Sequence, residues 1–300
     1  MKKEILFMVT LMLSLSMNVS AGWWSINDFH EGLAMVENNK EKYGFIDKTG
    51  KLVIPCNWEA AKDFSDGMAA VCNKSTKWGF IDKTGKLAVP CKWKYVYEYR
   101  EGLAMVEDDN NKRSFIDKFG NVVFSCNWKY ANNFSEGLSR VYDEKSKHGY
   151  INKEGKLVIP CKWASANDFS NGMASVKDEN RKYGFIDKTG KLVIPCKWKS
   201  VRNFKEGLAC VSDDNGKCGF INKSGTIVIP CKWNGLSEFH EGLASVEDKN
   251  NSQGYIDKTG KLVIPCKWEY AYDFSDGWAK VQPNMDDTGY YINKNGKEMK

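Results

Sequence analysis

Short apolar runs separated by turn-forming residues recur along this chain and predict strands rather than helices. Near the start, residues 32–36, 43–47 and 51–54 are rich in β-branched and aromatic residues, which favour strands. Nowhere are apolar residues spaced at helical intervals over a dozen positions. Residues 48–50, Lys-Thr-Gly, predict a three-residue hairpin loop in which glycine takes the left-handed conformation.

The whole pattern repeats every 35 residues. One position of every unit is tryptophan: Trp23, Trp58, Trp93, Trp128, Trp163, Trp198, Trp233 and Trp268. A second position is always glycine: Gly32, Gly67, Gly102, Gly137, Gly172, Gly207, Gly242 and Gly277. Eight units fill residues 23–300, with one extra residue in the last, and no linker or second domain is visible.

One unit has about three short predicted strands, too few to bury an apolar face alone. Neighbouring units must therefore cover one another. We predict an all-β fold of tandem antiparallel hairpin repeats stacked as an open solenoid or superhelix. A closed eight-bladed β-propeller is the alternative, less favoured because propeller blades usually have four strands and repeats of about 40 residues or more. Residues 58–64 are interpreted as a loop or short strand.

The first 21 residues differ from the rest and predict a signal peptide. Lys2 and Lys3 precede a mostly apolar run at 5–17, and residues 19–21 have the small-x-small form that signal peptidase cuts. An uncleaved anchor is the alternative, but the run is shorter than the ~20 residues of a spanning helix. We expect a leader at 1–21, the repeats at 22–300, export to the periplasm, cell surface or medium of a bacterium, and no membrane span after cleavage.

The unit resembles the WG-repeat family, also called KWG repeats. Residues 77–82 read KWGFID, and the G-L-A-x-V and V-I-P elements recur in most units. Departures are local, since Ser114 replaces the glycine of the dipeptide and residues 123–125 replace V-I-P, which puts the geometry of the third unit in doubt. The resemblance implies a bacterial, often exported structural or interaction module with no established activity.

Lysine is the most regular surface residue. One lysine follows the turn Asp or Asn of every unit: Lys48, Lys83, Lys118, Lys153, Lys188, Lys223, Lys258 and Lys294. A second set follows the cysteine of five units: Lys92, Lys162, Lys197, Lys232 and Lys267. Stacking would align the first set into a candidate partner-binding stripe for a linear polyanion. The competing interpretation is a solvated tip that prevents edge-to-edge pairing of strands. The net charge of +6 is too mild to predict a nucleic-acid partner.

Seven of the ten cysteines share one position of the repeat: Cys56, Cys91, Cys126, Cys161, Cys196, Cys231 and Cys266. They lack zinc-binding spacing, and we interpret them as small buried residues. Cys210 and Cys218 face each other across one predicted hairpin and form a candidate disulfide. The periodic tryptophans are interpreted as core rather than as stacking platforms.

No set of residues predicts catalysis. Residues 47–50, Asp-Lys-Thr-Gly, resemble a phosphorylation motif, but Asn replaces Asp in three units, as a turn tolerates and a nucleophile does not. The histidines are scattered, and Arg113, Arg140 and His148 form no recognised set.

We therefore expect a monomeric, non-enzymatic scaffold without a cofactor or metal, binding an unknown protein or a surface polymer such as a glycan or polyanion. A structural envelope spacer without a specific ligand is the first alternative. A hydrolase whose site is made by departures from the repeat is the second.

Overall fold

The computed structural model describes residues 23–299. The regular secondary structure of these residues consists of β-strands. The predicted signal peptide, residues 1–21, lies outside the described residues. The chain divides into two compact units, whose described parts are residues 23–139 with 152–156, and residues 140–151 with 157–299.

Residues 23–299 form seven four-stranded sheets and one three-stranded sheet. Sheets one to four comprise β1 Trp23–His30, β2 Leu33–Asn38, β3 Tyr43–Asp47, β4 Leu52–Trp58; β5 Ala60–Ala61, β6 Met68–Cys72, β7 Trp78–Asp82, β8 Leu87–Trp93; β9 Tyr95–Val96, β10 Ala104–Glu107, β11 Arg113–Ile116, β12 Val122–Cys126; and β13 Tyr130–Ser135, β14 Leu138–Tyr142, β15 His148–Ile151, β16 Leu157–Trp163.

Sheets five to eight comprise β17 Ser165–Ala166, β18 Met173–Lys177, β19 Tyr183–Asp187, β20 Leu192–Trp198; β21 Ser200–Val201, β22 Leu208–Ser212, β23 Cys218–Asn222, β24 Ile227–Trp233; β25 Gly235–Leu236, β26 Leu243–Glu247, β27 Gln253–Asp257, β28 Leu262–Trp268; and β29 Tyr270–Ala271, β30 Trp278–Gln282, β31 Tyr290–Asn293. Within each sheet the strands lie side by side in chain order. The predicted all-β fold of antiparallel repeats is confirmed.

The seven four-stranded sheets each have one strand more than the three that the sequence indicates. The additional strand comes from the segment 58–64, where Ala60 and Ala61 pair with the second strand. The backbone bonds from Glu59 N–H to Cys72 O, 3.0 Å, and from Lys62 N–H to Ala70 O, 2.9 Å, extend this pairing. A two-residue strand carries no visible alternation in sequence, so the segment looked ambiguous. With four strands in a sheet, the strand count no longer favours an open array over a ring.

The core forms where the face of one sheet meets the next. Phe45 and Ile54 of the first sheet pack with Phe64, Val71 and Ile81 of the second, all at most 3% exposed. The rings of Phe45 and Phe64 meet edge to face with their centroids 4.9 Å apart. Equivalent ring pairs, edge to face or tilted, occur at Phe80–Tyr99, Phe115–Phe134, Tyr150–Phe169, Phe185–Phe204, Phe220–Phe239 and Tyr255–Phe274. Consecutive sheets therefore cover each other, as the incomplete single unit requires.

The glycine of the WG dipeptide is needed for space. In the fifth sheet Tyr183 pairs with Trp198, but Phe185 pairs with Ile194, so the outer strand bulges opposite Gly184. A Cβ on Gly184 would lie 2.8 Å from the backbone nitrogen of Cys196 and closer still to the carbonyl oxygen of Ile194. No side chain fits there, which explains why this position is glycine.

The third sheet shows what happens without that glycine. Ser114 pairs directly with Ser125, and the bulge at this position is absent. The outer strand β12 then ends at Cys126, two residues before Trp128, whereas the other outer strands run through to their tryptophan. The altered sequence of the third unit thus changes its geometry, as expected.

The bulge yields a matched pair of substitutions. We expect Gly184→Ala to lower the free energy of unfolding by about 1–3 kcal/mol, because the added methyl group overlaps backbone atoms that cannot easily move. Ser114→Ala places the same residue at the same repeat position without a bulge, and should change stability by no more than about 0.5 kcal/mol. Urea denaturation measures both, and equal losses would contradict this account of the glycine.

Candidate functional site

The hairpin between the first and second strands of each sheet presents an acidic or amide side chain. In the second sheet Asp66 and Gly67 are its two central residues, both with positive φ, at 56° and 80°. Ser65 and Met68 close the turn by exchanging two backbone hydrogen bonds. Two positive φ values define the tight turn that suits the twist of a hairpin. The geometry holds the carboxylate at a fixed place in each sheet.

The acid at this turn binds two groups of the following sheet, as Glu31 of the first sheet shows. Gly67 N–H donates to Glu31 Oε2 at 3.0 Å, and Lys83 Nζ lies 3.0 Å from the same oxygen. Lys83 also donates to the backbone oxygen of Glu31 at 3.1 Å. We call this arrangement of one acid, one glycine N–H and one lysine the carboxylate clamp. It joins two consecutive sheets through polar groups at one end of their strands.

The clamp recurs between other consecutive sheets, with residues of the same kinds at the equivalent positions. The lysine–carboxylate pairs are Lys118–Asp66 at 3.1 Å, Lys153–Glu101 at 3.2 Å, Lys258–Glu206 at 3.0 Å and Lys294–Glu241 at 2.9 Å. Lys223 faces Asn171 instead of an acid, and donates to its backbone oxygen at 2.7 Å. Lys188 also has an interaction partner. Lys48 lies in the first described sheet, at the same turn.

These lysines are the predicted partner-binding stripe. Their side chains retain roughly 40–46% of their exposure, but carboxylates of the preceding sheet face five of the ammonium groups. Binding of a polyanion by the stripe stays a prediction, and a polyanion would have to compete with those carboxylates.

The pKa of three clamp acids, Glu31, Glu206 and Glu241, is lowered. Desolvation alone would raise the pKa of Glu206, but the hydrogen bond and charge of Lys258 and the N–H of Gly242 outweigh it, so the pKa lies below the ordinary 4.5. For Glu241 the hydrogen bond from Lys294 is the largest cause of the lowered pKa. The clamp therefore favours the ionised acid.

The second set of lysines lies over the periodic tryptophans. The ammonium groups are 4.6–5.1 Å from the indole centroids in the pairs Lys92–Trp93, Lys162–Trp163, Lys197–Trp198, Lys232–Trp233 and Lys267–Trp268. Trp93, Trp163, Trp198 and Trp268 are buried, so these indoles belong to the core, as predicted. Each lysine is exposed and held in place by a cation–π contact, worth about 0.5–1 kcal/mol at such sites.

The outer strands also expose aliphatic side chains. Leu157 and Val158 of β16 are 38% and 39% exposed, next to the buried Ile159. Equivalent exposed residues are Leu52, Val53, Leu87, Val122, Val123, Leu192, Ile227, Val228, Leu262 and Val263. The outer strand of a typical sheet thus presents aliphatic groups, an exposed proline and a lysine over an indole at 35-residue intervals.

The ten cysteines are free thiols in this structure. Six of those at the shared repeat position lie beside the WG glycine and are half-buried, whereas Cys126, in the unit without that glycine, is buried. Cys210 lies opposite Phe220, and Cys218 lies opposite Ser212, so the two thiols are diagonal neighbours rather than a direct pair. A disulfide between Cys210 and Cys218 stays a prediction.

Two polar departures from the repeat, Arg113 and Arg140, are each engaged in a local ion pair. Arg113 Nε lies 3.2 Å from Glu107, and Arg140 Nε lies 3.3 Å from Asp168. Burial, and then the charge of Arg140, lower the pKa of His148. Among residues 23–299 no group of three His, Cys, Asp or Glu side chains is arranged to hold a metal ion. Nor does that part of the chain contain a helix suited to crossing a membrane.

A cavity of about 240 Å³ opens beside the seventh sheet. It is lined by Arg202, Gly235, Leu236, Ser237, Ser245, Val246, Glu247 and Gln253. Gly235 stands at a position where the other units have serine, alanine or tyrosine. Sequence reasoning missed this cavity.

Seven segments of the chain match a family model described as the WG containing repeat: residues 43–75, 78–112, 114–144, 149–182, 183–218, 219–251 and 254–284. A search of curated proteins finds no match.

Solved structures show a likeness of fold. A crystal structure of "the eukaryotic initiation factor" matches with a TM-score of 0.61 and 11% identity over 93% of this chain and 87% of that one. The computationally designed Ika8 protein matches at 0.45 and 12% identity, covering 93% and 96%. BamB from Moraxella catarrhalis matches at 0.43 and 10%, covering 86% and 92%. The initiation-factor likeness supports the repeated β architecture and carries no function.

The clamp should contribute measurably to stability. We expect Glu206→Gln and Lys258→Met each to lower the free energy of unfolding by about 0.5–1 kcal/mol, the range of a partly exposed ion pair with a good hydrogen bond. The double variant should lose less than the sum, because the two residues share one interaction. A double-mutant cycle in urea gives the coupling energy, and a coupling of zero would remove the clamp as a stabilising contact.

The lowered pKa of Glu206 predicts how the stability of the folded chain depends on pH. Because the folded-state pKa lies below 4.5, the contribution of Glu206 is fully present above that value and is lost as pH falls through the folded-state pKa. The stability difference between wild type and Glu206→Gln should therefore be constant above pH about 5 and shrink at lower pH. Denaturation midpoints across the acid range test it, and a difference that grew on acidification would contradict it.

Proposed function

This chain belongs to the WG-repeat family, and from that premise we propose that it is an exported, non-catalytic scaffold that binds a protein or surface polymer through many equivalent contacts. The observation that carries the proposal is the outer strand, which presents the same exposed groups in sheet after sheet. Weak contacts repeated along one chain add to a strong attachment, because later contacts form at high effective concentration.

Export rests on the residue pattern at 1–21, whose charged start, apolar run and small-residue end are typical of a signal peptide. Absence of catalysis is proposed because the two arginines among the polar departures from the repeat are held by local ion pairs. Arg113 and Arg140 are both engaged in this way, and neither is paired with a nucleophile.

For an acidic polymer the lysines over the tryptophans are better placed than the predicted stripe. Lys162 and Lys197 are exposed and rest on an indole face, whereas Lys153 and Lys258 face carboxylates of the clamp. A polyanion at the first pair need not displace an acid. The predicted stripe, which has one lysine per unit from Lys48 to Lys294, remains the alternative binding surface.

The clamp itself favours a second candidate function, the structural spacer. Its acids and lysines satisfy each other between consecutive sheets, so the most regular charges of the chain hold the units together. A chain built in this way can serve as an envelope component without a specific ligand.

Binding to defined polymers separates these functions. Immobilised full-length chain is titrated with polyglutamate, polyphosphate and a panel of neutral and acidic glycans. If the lysines over the tryptophans bind an acidic polymer, changing Lys162, Lys197, Lys232 and Lys267 to Gln one after another should weaken binding by about two- to fivefold per step. The steps should be larger at low salt.

The matched control removes the same charge elsewhere. Lys191, Lys199, Lys249 and Lys261 are exposed but do not lie over the periodic tryptophans, and their change to Gln should leave most of the affinity. Binding that does not depend on salt would indicate that the exposed aliphatic residues make the contact. The double variant Leu157→Ser with Val158→Ser then tests this surface. No binding by any polymer and no loss in any variant would favour the spacer.

A further inference from the structure

The outer strand of the third sheet differs from the outer strands of its neighbours. Its sequence is VVFSC over Val122–Cys126, whereas the fifth sheet has LVIPCKW over Leu192–Trp198. Six of the seven outer strands among residues 23–299 contain proline, and the third has Ser125 instead. Proline lacks a backbone N–H and so protects an edge strand from further pairing. Ser125 restores that N–H.

The third outer strand is also paired more regularly with its inner neighbour. Residues 124–126 lie opposite residues 113–115 of β11 without a shift of register. In the fifth sheet the same stretch carries the bulge opposite Gly184. A bulge twists an edge strand away from a second chain. The third sheet keeps the shift near Val122 but loses this bulge, so its edge is a better template for another strand.

Charge is missing from the same edge. Every other outer strand among residues 23–299 has a lysine before its first residue, after its cysteine, or at both places, as Lys191 and Lys197 show for the fifth sheet. The third outer strand has Asn121 and Asn127 at these two positions, and both are exposed. Lysine on an edge strand opposes pairing with another chain. Proline, bulge and both lysines are therefore replaced together in one unit.

Apolar side chains lie beside this edge. Val122 and Val123 are 54% and 45% exposed, and Phe119, in the turn that precedes them, is 83% exposed. The equivalent turn position is threonine, serine, glutamate or asparagine in the other units. An exposed ring next to an uncharged edge strand indicates a contact surface, because it adds apolar area at the place where pairing is unprotected.

A second copy of the same strand fits this edge. β12 carries no charge, and a two-fold axis at its midpoint, residue 124, would place Asn121 of one copy opposite Asn127 of the other. The same pairing of two fifth sheets would set Lys191 against Lys197 twice, and like charges directly opposite each other are unfavourable. The replacement of both lysines therefore matters most when the strand pairs with itself.

We propose that two copies of this chain associate through antiparallel pairing of their β12 strands, with Phe119 of each copy adding apolar contact beside the pair. The third sheets of the two copies then form one continuous sheet about a two-fold axis, a contact that closes after two chains. Because the contact is small, the dimer is weak and depends on concentration. The proposal goes beyond the scaffold function and replaces the monomer expected from the sequence, and it requires no polymer.

Sedimentation equilibrium of the full chain tests the association. We expect a reversible monomer–dimer equilibrium without larger species, because the edge is occupied once two chains have paired. Hydrogen exchange should slow in residues 120–127 as protein concentration rises, and should be unchanged in the outer strands of the second and fifth sheets. A monomer at every concentration up to about 1 mM, or a dimer protected elsewhere, such as at the apolar run 5–17, would overturn the proposal.

Charge variants test the two-fold pairing. Asn121→Lys with Asn127→Lys should weaken the dimer about tenfold at low salt and less at high salt, because lysines then face each other across the axis. Asn121→Lys with Asn127→Glu sets opposite charges across the axis and should retain the dimer. Asn57→Lys is the matched control, since it adds a charge at the position of Asn127 in the proline-containing strand of the first sheet, and should have no effect. Equal weakening by the two double variants would refute the pairing.

Two further substitutions test the ring and the backbone. Phe119→Thr introduces the residue of other units and should weaken the dimer about tenfold, because apolar area is lost from the contact. Thr49→Phe, its matched control in the first sheet, should leave the equilibrium unchanged. Ser125→Pro removes a backbone donor and should abolish the dimer. A dimer that persists in folded Ser125→Pro, or that is indifferent to Phe119→Thr, would contradict the proposal. The charge variants alter exposed residues alone and decide the case if Ser125→Pro does not fold.

Discussion

The contact on which this fold depends is the one between an aromatic ring and the sheet before it. A four-stranded sheet of this size has an apolar face that it cannot bury by itself. Phe64 closes that face for the first sheet by packing edge to face on Phe45, and the same pair of positions meets again along the chain. Each unit therefore receives its stability from the next, which makes equivalence between units a physical requirement.

The carboxylate clamp is the polar counterpart of this apolar contact. Buried rings bring two sheets together but do not fix how far one slides over the other, because apolar attraction has no direction. Glu31 meets Gly67 N–H and Lys83 at defined distances, and so specifies the alignment at one end of the strands. The WG glycine has a similar role within a sheet, since only the bulge opposite Gly184 carries the outer strand on to Trp198.

Much of the fold could be predicted from the sequence, because a strict 35-residue period leaves few architectures and strand patterns are visible in each copy. The fourth strand was only half visible, since Ala60 and Ala61 are too few residues to show alternation. The site was harder. The lysine stripe was found by its period, but its ion partners were not, because the acid of Lys83 lies 52 residues earlier and only the stacked structure brings them together.

A repeated charge in such a chain has two physical meanings, and its period does not distinguish them. A row of like charges facing solvent concentrates potential and suits a polymer of opposite sign. A row of charges that meets an equally periodic row of the other sign forms ion pairs within the molecule, as in the clamp. Here acids and lysines both recur at one position per unit, so the pairing was implicit in the sequence.

Singular residues carry different information from periodic ones. Periodic residues are constrained by stacking in every unit, so their chemistry is shared with the architecture. Arg202, Gly235 and Gln253 stand at positions whose residue varies from unit to unit, and all three line the cavity beside the seventh sheet. In a repeat protein the architecture is therefore visible in what recurs, whereas chemistry specific to one place is sought where several departures converge.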